Sequence, residues 1–316
     1  MINQWRKTFA AWQVNGIVYV SVPFTWLIPE VLRFISQQKK PVVVGGPGAI
    51  LMKDRFDGVA TLQETIDWCE PITFHNPLAT FTTRGCINKC DFCAVPKIEG
   101  DFREIKDFTP RPIVCDNNFL ASSKIHFNRV IDKLKHLPYI EFNQGLEAKL
   151  FTSERASRIA ELKLNDIRFA FDELDRENHL RKAVKIARHN GIKKISVLML
   201  YGFTDTPADA LYRAECLRGI GVNEIFPMRY QPLLSEHKGG FINTAKGWTE
   251  YELQRFRTYW LKARNGVMDK VPYAEYELPK ILKSGKMRGF FSDPRTLREE
   301  SGIYGKSNTN TNEKGS

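Results

Sequence analysis

The chain opens on apolar residues with helical spacing. Trp5, Phe9 and Trp12 recur at intervals of four and three, with polar residues such as Arg6 and Lys7 between them. Residues three and four apart lie on the same face of a helix. The spacing therefore predicts an amphipathic helix over residues 1–15.

The next three segments predict a βαβ unit. An apolar run over 16–23 predicts a buried strand, a periodic stretch over 28–38 predicts a helix, and an apolar run over 41–49 predicts a second strand ending in a glycine turn. That turn lies at the carboxyl end of its strand, where open α/β sheets bind ligands. We expect residues 1–75 to form an N-terminal α/β unit.

From residue 80 onward, apolar runs alternate with helical stretches. Runs that predict strands begin at residues 81, 113, 139, 167, 194 and 222. The helix before the last run has a clear start and stop, because the stretch Asp205-Thr206-Pro207 provides a cap and a first-turn proline and Gly221 ends the helix. This alternation predicts parallel β/α units over residues 76–235.

The composition changes after residue 235. A polar linker precedes residues 249–265, where Leu253, Phe256 and Trp260 share one face of a predicted helix. We expect a C-terminal helical extension over 236–306. Residues 307–316 are of low complexity, which predicts a disordered tail.

Charge and composition limit the function classes. The 316 residues carry a formal net charge of +11, and residues 246–316 hold 14 basic against 9 acidic side chains. This excess leaves a nucleic-acid or phosphate-bearing substrate open, but a solvated basic surface explains it equally well. No segment has the apolar length of a signal peptide or a membrane span, so we expect no membrane partner.

The most informative motif is a cluster of three cysteines. Cys86, Cys90 and Cys93 follow the pattern C-x3-C-x2-C, just before Pro96. Cysteine thiolates are the usual ligands of iron–sulfur clusters, and three of them leave one iron of a four-iron cluster open for chemistry. A zinc site would require a fourth ligand with paired spacing. Three buried core cysteines are disfavoured, because charged and polar residues separate them.

This motif, with Phe92 before the last cysteine and T-T-R-G-C and C-A-V-P around it, resembles the radical S-adenosylmethionine (radical SAM) superfamily. It is most similar to the branch of cobalamin-associated enzymes and methylthiotransferases. The resemblance implies a partial, TIM-like (β/α)6 radical SAM barrel with one 4Fe-4S cluster on the three cysteines. It also implies S-adenosyl-L-methionine (SAM) on the open iron and an external one-electron donor of the flavodoxin or ferredoxin type.

The implied activity is reductive cleavage of SAM, which starts hydrogen abstraction from an unidentified substrate. Since cluster ligands must stay reduced, we expect a cytoplasmic enzyme. The alternative is a non-catalytic iron–sulfur or zinc module that binds nucleic acid. The basic charge favours that alternative, whereas six β/α units argue against it.

The resemblance directs attention to polar residues at the strand ends, where barrels of this kind bind ligands. The predicted SAM-contacting residues are Phe92, Asn117, Asn118, Gln144, Asp172 and Arg229. Phe92 is expected to offer its backbone to the adenine, and the two asparagines and Gln144 are expected to contact the methionine or ribose. Arg229 has the guanidinium geometry to clamp a carboxylate.

The N-terminal unit resembles part of a cobalamin-binding domain through its glycine turn, residues 45–48. Such domains often carry a D-x-H-x-x-G motif, whose histidine ligates cobalt. Here the first histidine of the chain is His75. We therefore interpret the unit as degenerate and cobalamin-domain-like, and we expect no cobalamin.

Overall fold

The computed structural model describes residues 5–65, 69–237 and 247–262, and within these ranges the chain is an α/β protein. The strands are β1 (Ala10–Val14), β2 (Ile17–Ser21), β3 (Val42–Gly45), β4 (Thr61–Leu62), β5 (Ala79–Thr80), β6 (Thr83–Arg84), β7 (Arg103–Glu104), β8 (Ile113–Val114), β9 (Glu141–Phe142), β10 (Ile167–Ala170), β11 (Ile195–Tyr201) and β12 (Glu224–Arg229). The helices are α1 (Ile28–Ser36), α2 (Pro47–Leu51), α3 (Val95–Ile98), α4 (Lys124–Leu134), α5 (Ser153–Ala160), α6 (Glu177–His189), α7 (Pro207–Ile220) and α8 (Glu250–Lys262). None of the helices in these ranges is both long and apolar enough to cross a membrane.

The N-terminal unit contains a four-stranded sheet in the order β1-β2-β3-β4. Strand β1 is antiparallel to β2, and the other pairs are parallel. The predicted helix over residues 1–15 is therefore wrong, because residues 10–14 form a strand. Asn15 and Gly16 join the two strands with φ angles of 48° and 80°. An Asn-Gly pair favours this tight hairpin turn, and the pairing it creates outweighs the helical spacing of three aromatic residues.

Six parallel strands follow in chain order. Strands β5, β8 and β9 form one three-stranded sheet, and β10, β11 and β12 form another. Isolated parallel bridges, Ile140 with Leu164 and Leu146 with Phe169, connect the two sheets. Five of the six predicted strands have counterparts, in β8 to β12, whereas the run predicted from residue 81 falls between β5 and β6. Strands β5, β8 and β9 pair over only two residues each. A single closed barrel sheet stays a prediction.

Two large apolar cores hold the described chain together. The larger one packs helices α4 to α8 against the parallel strands, and the smaller one lies within the N-terminal unit. Leu253, Phe256 and Trp260 of α8 belong to the larger core. Helix α8 is thus an integral part of the strand-and-helix core. The predicted tail over 307–316 and the rest of the extension beyond residue 262 lie outside the described residues.

A buried arginine ties α7 to the carboxyl ends of β10 and β11. Arg213 is 1% exposed. Its guanidinium donates to the carbonyl oxygens of Phe171, Asp172 and Leu200 at 2.9, 2.6 and 2.8 Å. It also pairs with the carboxylate of Asp205 at 2.6 Å. Because these acceptors lie on three separate segments, one side chain fixes the strand ends relative to the loop before α7.

We predict that Arg213→Met lowers the free energy of unfolding by about 3–5 kcal/mol, since it leaves the Asp205 carboxylate and three carbonyl groups without their buried donor. Urea denaturation measures the loss. Arg218→Met is the matched control on the same helix, because Arg218 pairs with Glu215 at the surface, where such pairs contribute less than about 1 kcal/mol. Equal losses in the two variants would contradict the assigned role of Arg213.

Candidate functional site

The three cysteines of the motif lie on the segment between β6 and α3, after the carboxyl end of β5. Cys86, Cys90 and Cys93 are half-buried, and all six cysteines of the chain are free thiols. Carboxyl ends of parallel strands are where α/β folds place their chemistry. The structure therefore puts the predicted metal ligands at the edge expected for a functional site.

Asp116 anchors the start of the cysteine segment. It follows β8, is 2% exposed, and accepts a hydrogen bond from the backbone N–H of Thr82 at 2.6 Å. Its second oxygen accepts from the Thr82 hydroxyl. Burial raises the pKa of this carboxyl to about 6, and the hydrogen bonds from Thr82 oppose the rise. Asp116 thus links β8 to the residues that lead into Cys86.

Two glutamates hold the rest of the segment. Glu99, at the end of α3, accepts from the Gly85 backbone N–H at 2.6 Å and pairs with Arg84 at 3.0 Å. Glu147, which follows β9, accepts from the side-chain amide of Asn88 at 2.6 Å. Carboxylates from three different parts of the chain therefore fix the residues just before the motif and Asn88 within it.

The Cys86 sulfur accepts two hydrogen bonds. The donors are the backbone N–H of Asn88 at 3.3 Å and the side-chain Nδ2 of Asn118 at 3.4 Å. Asn118 is 2% exposed, and its Oδ1 atom is buried without a hydrogen-bond partner among the described residues. A buried acceptor without a donor costs free energy unless a ligand satisfies it. The Asn118 amide thus contacts the Cys86 sulfur through Nδ2, and its Oδ1 can accept a hydrogen bond from a ligand.

The three sulfurs lie within electrostatic reach of one another. Burial raises the pKa of the Cys90 thiol to about 11, and Cys93 and Cys86 add to that rise. Burial also raises the pKa of Cys93. Bound metal offsets such shifts, because it binds the thiolate form.

The donor set provides three free thiols, the number that a four-iron cluster with one open iron takes. In the part of the chain that the structure describes, no three Cys, His, Asp or Glu side chains are grouped closely enough to hold one metal ion. In a four-iron cluster each cysteine binds a different iron, so its sulfurs lie farther apart than the ligands of a zinc ion. Three free thiols at a strand edge match the chemistry of a cluster with one open iron.

The predicted SAM-contacting residues are distributed around this edge. Phe92 packs its ring edge-on against Phe203, with centroids 5.9 Å apart. Asn117 is half-buried beside Asn118, whereas Gln144 is exposed after β9. Their roles stay predictions.

Asp172 and Arg229 already have partners within the chain. Asp172 accepts from the Leu200 backbone N–H at 2.8 Å, and burial raises the pKa of its carboxyl. Arg229 clamps the carboxylate of Glu250 with two bonds of 2.6 and 2.5 Å. The guanidinium geometry expected of Arg229 is thus present, but its carboxylate comes from α8. A contact with SAM requires this pair to open.

Sequence reasoning missed three residues that shape the site, namely Asp116, Glu99 and Glu147. Asp116 and Glu147 come just after predicted strands, so the rule that drew attention to Asn118 and Gln144 applied to them as well. Their partners lie 34 and 59 residues away in the sequence. Only the order of the strands brings these pairs together.

Comparison with known proteins gives a structural match. No protein-family model matches the chain, and no curated protein matches it in sequence. Among solved structures, the chain is similar to the radical S-adenosylmethionine methyltransferase TsrM from Kitasatospora setae with cobalamin and a 4Fe-4S cluster bound, at 12% identity and a TM-score of 0.50. A second TsrM structure, with tryptophan substrate and the SAM analogue aza-SAM, gives the same identity and TM-score. The chain shares the fold of a radical SAM enzyme.

The match is partial in length. It covers 70% of this chain and 64% of TsrM in the first structure, and 68% and 62% in the second. The chain therefore spans less than two thirds of TsrM. The match confirms the prediction of a fold like that of radical SAM proteins.

Because TsrM was solved with cobalamin, the glycine turn of the N-terminal unit can be tested as a corrin site. Gly46 has a φ angle of 90°, and a Cβ added there would lie 2.9 Å from the backbone nitrogen of Val22. A Cβ on Gly48 would lie 2.6 Å from the carbonyl carbon of Phe24. The chain's own backbone therefore packs against these glycines. Close packing therefore explains the need for glycine at these two positions.

A histidine does reach this edge of the N-terminal sheet. The sequence interpretation placed none there, but His75 Nε2 lies 2.9 Å from the Ser21 hydroxyl at the end of β2. Burial, followed by the charge of Arg6, lowers the pKa of His75 to about 4. This imidazole is therefore neutral at physiological pH, with one ring nitrogen bonded to Ser21.

We predict a pH-dependent stability that depends on Asp116. The Asp116 carboxyl binds a proton more tightly in the native state than in the unfolded state, so protonation stabilises the native state. This stabilisation is fully present below about pH 4 and is lost as the pH rises to about 6. A shift of this size corresponds to about 3 kcal/mol. Asp116→Asn removes the titration. Urea denaturation of both metal-free proteins from pH 4 to 7 should show wild type losing about that much stability relative to the variant, and a constant difference would contradict the prediction.

Proposed function

We propose that this protein is a radical SAM enzyme in which Cys86, Cys90 and Cys93 hold one 4Fe-4S cluster. The observation that carries the proposal is the arrangement of three free thiols at the carboxyl edge of parallel strands, next to an unsatisfied acceptor on Asn118. The fold it shares with TsrM supports it. When bound and reduced, such a cluster supplies the electron that cleaves the sulfonium of SAM.

The chain's own residues orient SAM in this proposal. Asn118 Oδ1 accepts from the methionine ammonium, since an amide oxygen is a good acceptor and this one is buried, has no donor among the described residues, and belongs to the amide that contacts Cys86. Asn117 and Gln144 contact the methionine carboxylate or the ribose. The Phe92 backbone faces the adenine. Asp172 adds negative charge near the cationic portion of the cofactor.

The six parallel strands form the partial barrel around this site in our proposal, since they follow in chain order and bridges connect the two sheets. A one-electron donor of the flavodoxin or ferredoxin class would supply the electron to a cluster held by the three cysteines. The bound groups would then supply the chemistry that starts hydrogen abstraction from a substrate whose identity the site does not specify.

The alternative of a nucleic-acid-binding module is not favoured. The side chains that surround the cysteine segment include Glu99, Glu147 and Asp172, whose charge repels phosphates. The basic excess of residues 246–316 lies mostly outside the described residues. A polyanionic substrate therefore stays a prediction of the composition alone.

We predict that anaerobic reconstitution yields about four irons per chain, and that the reduced protein cleaves SAM to 5′-deoxyadenosine and methionine. Iron analysis, electron paramagnetic resonance (EPR) and product chromatography measure these outcomes. Cys90→Ala should abolish SAM cleavage and disrupt the cluster, because it removes one of three ligands. Cys69→Ala is the matched control outside the motif and should keep both. A complete cluster in Cys90→Ala would contradict the assignment of Cys90 as a cluster ligand.

We also propose that the protein acts without cobalamin, because the glycine turn is packed by the chain's own backbone. After incubation with hydroxocobalamin and desalting, we predict no corrin absorbance and the same rate of SAM cleavage with or without added cobalamin. Stoichiometric retention of cobalamin would overturn this proposal. It would favour a methyl-transfer reaction instead.

A further inference from the structure

The three cysteine sulfurs differ in the hydrogen bonds they accept. Cys86 accepts from a backbone N–H and from the side chain of Asn118, and Cys93 accepts from the backbone of Val95. For Cys90 the described residues provide no comparable donor. Asn118 is thus the one side chain, among those described, that donates to a sulfur of the motif.

An N–H bond to a ligand sulfur changes the redox properties of a cluster. The donor withdraws negative charge from the sulfur, which stabilises the reduced state and raises the reduction potential. The effect is strong where water is excluded, because the local dielectric is low. Asn118 is 2% exposed, so solvent barely screens its bond to Cys86.

The position of Asn118 is fixed by its neighbours in the chain. Asp116, two residues earlier, is bonded to Thr82. Phe119, the next residue, is fully buried and stacks on Phe127 and Phe142 with centroids 5.2 and 5.4 Å away. The amide therefore has little freedom to turn away from Cys86.

The two ends of this amide face different groups. Nδ2 donates to Cys86, and Oδ1 has no donor among the described residues. When a carbonyl oxygen accepts a charged donor, the amide becomes polarised and its N–H becomes a stronger donor. A cation bound at Oδ1 should thus strengthen the bond at Nδ2.

We propose that Asn118 couples SAM binding to reduction of the cluster: its Oδ1 accepts from the SAM ammonium, and its Nδ2 bond to Cys86 raises the cluster's reduction potential. This inference rests on the proposed function. Asn118 is then a positioning and tuning residue, and it makes the external donor's single electron easier to accept when SAM is in place.

The test is an EPR-monitored redox titration of reconstituted wild type, Asn118→Leu and Asn118→Asp, each with and without SAM. Asn118→Leu removes both ends of the amide. We expect a more negative potential, a smaller SAM-induced shift, and SAM binding weakened by about tenfold or more, as loss of a hydrogen bond to a charged group implies. Asn118→Asp keeps an acceptor but removes the donor, so it should lower the potential while SAM still binds.

Asn117→Asp is the matched control for charge. It places the same carboxylate one residue away without removing the bond to Cys86, so without SAM its reduction potential should fall less than that of Asn118→Asp. The comparison is made without SAM, because Asn117 is itself a proposed SAM contact. Equal potentials in wild type and Asn118→Leu, each with four irons, would overturn the proposal and leave the proposed function standing. If Asn118→Leu loses its cluster, the reduction potential of Asn118→Asp tests the proposal in its place. Loss of the cluster in both variants would also overturn it, since the bond would then be structural. A wild type without a cluster would overturn both proposals.

Discussion

The buried contact between Asp116 and Thr82 is the constraint on which the site depends. It connects the end of β8 to the residues that precede Cys86, across 34 positions of sequence. A carboxylate in such a place is costly unless it is hydrogen-bonded, and both of its oxygens accept from Thr82. Since Asn118 lies two residues further on, the same anchor sets its distance from the Cys86 sulfur. The geometry of the motif thus follows from the strand order.

The glycine turn of the N-terminal unit is explained by close packing of the chain's own backbone. Its glycines come at the carboxyl end of β3, the usual position for a ligand in an open parallel sheet. Yet Gly46 and Gly48 approach the backbone of residues 22–24 so closely that side chains would collide. Thr25 in turn donates to the Ser235 carbonyl at 2.5 Å, which places the segment after β12 over the same region. Packing between segments thus accounts for the glycines at positions 46 and 48.

Local signals predicted much of the fold, and distant contacts explain what they missed. The cysteine spacing and the start and stop of α7 are local, and both could be recognised from neighbouring residues. The Asn15-Gly16 turn was also local, but helical spacing was given more weight than the hairpin that it forms. The partners of Glu147 and Arg229 could not be inferred, because Asn88 and Glu250 reach them only through the arrangement of strands and the packing of α8.

Acidic side chains lie close to the cysteine motif although the chain is basic. The formal net charge is +11, yet Glu173 lies near Cys90, and Asp172 and Glu99 lie near Cys93. Cations are present as well, since Arg84 pairs with Glu99, and Arg176, which lies near Cys90, is 3.6 Å from both Glu173 and Asp175. Because Coulomb interactions weaken quickly with distance in salt, these nearby groups, and not the net charge of the chain, determine the electrostatics of this edge.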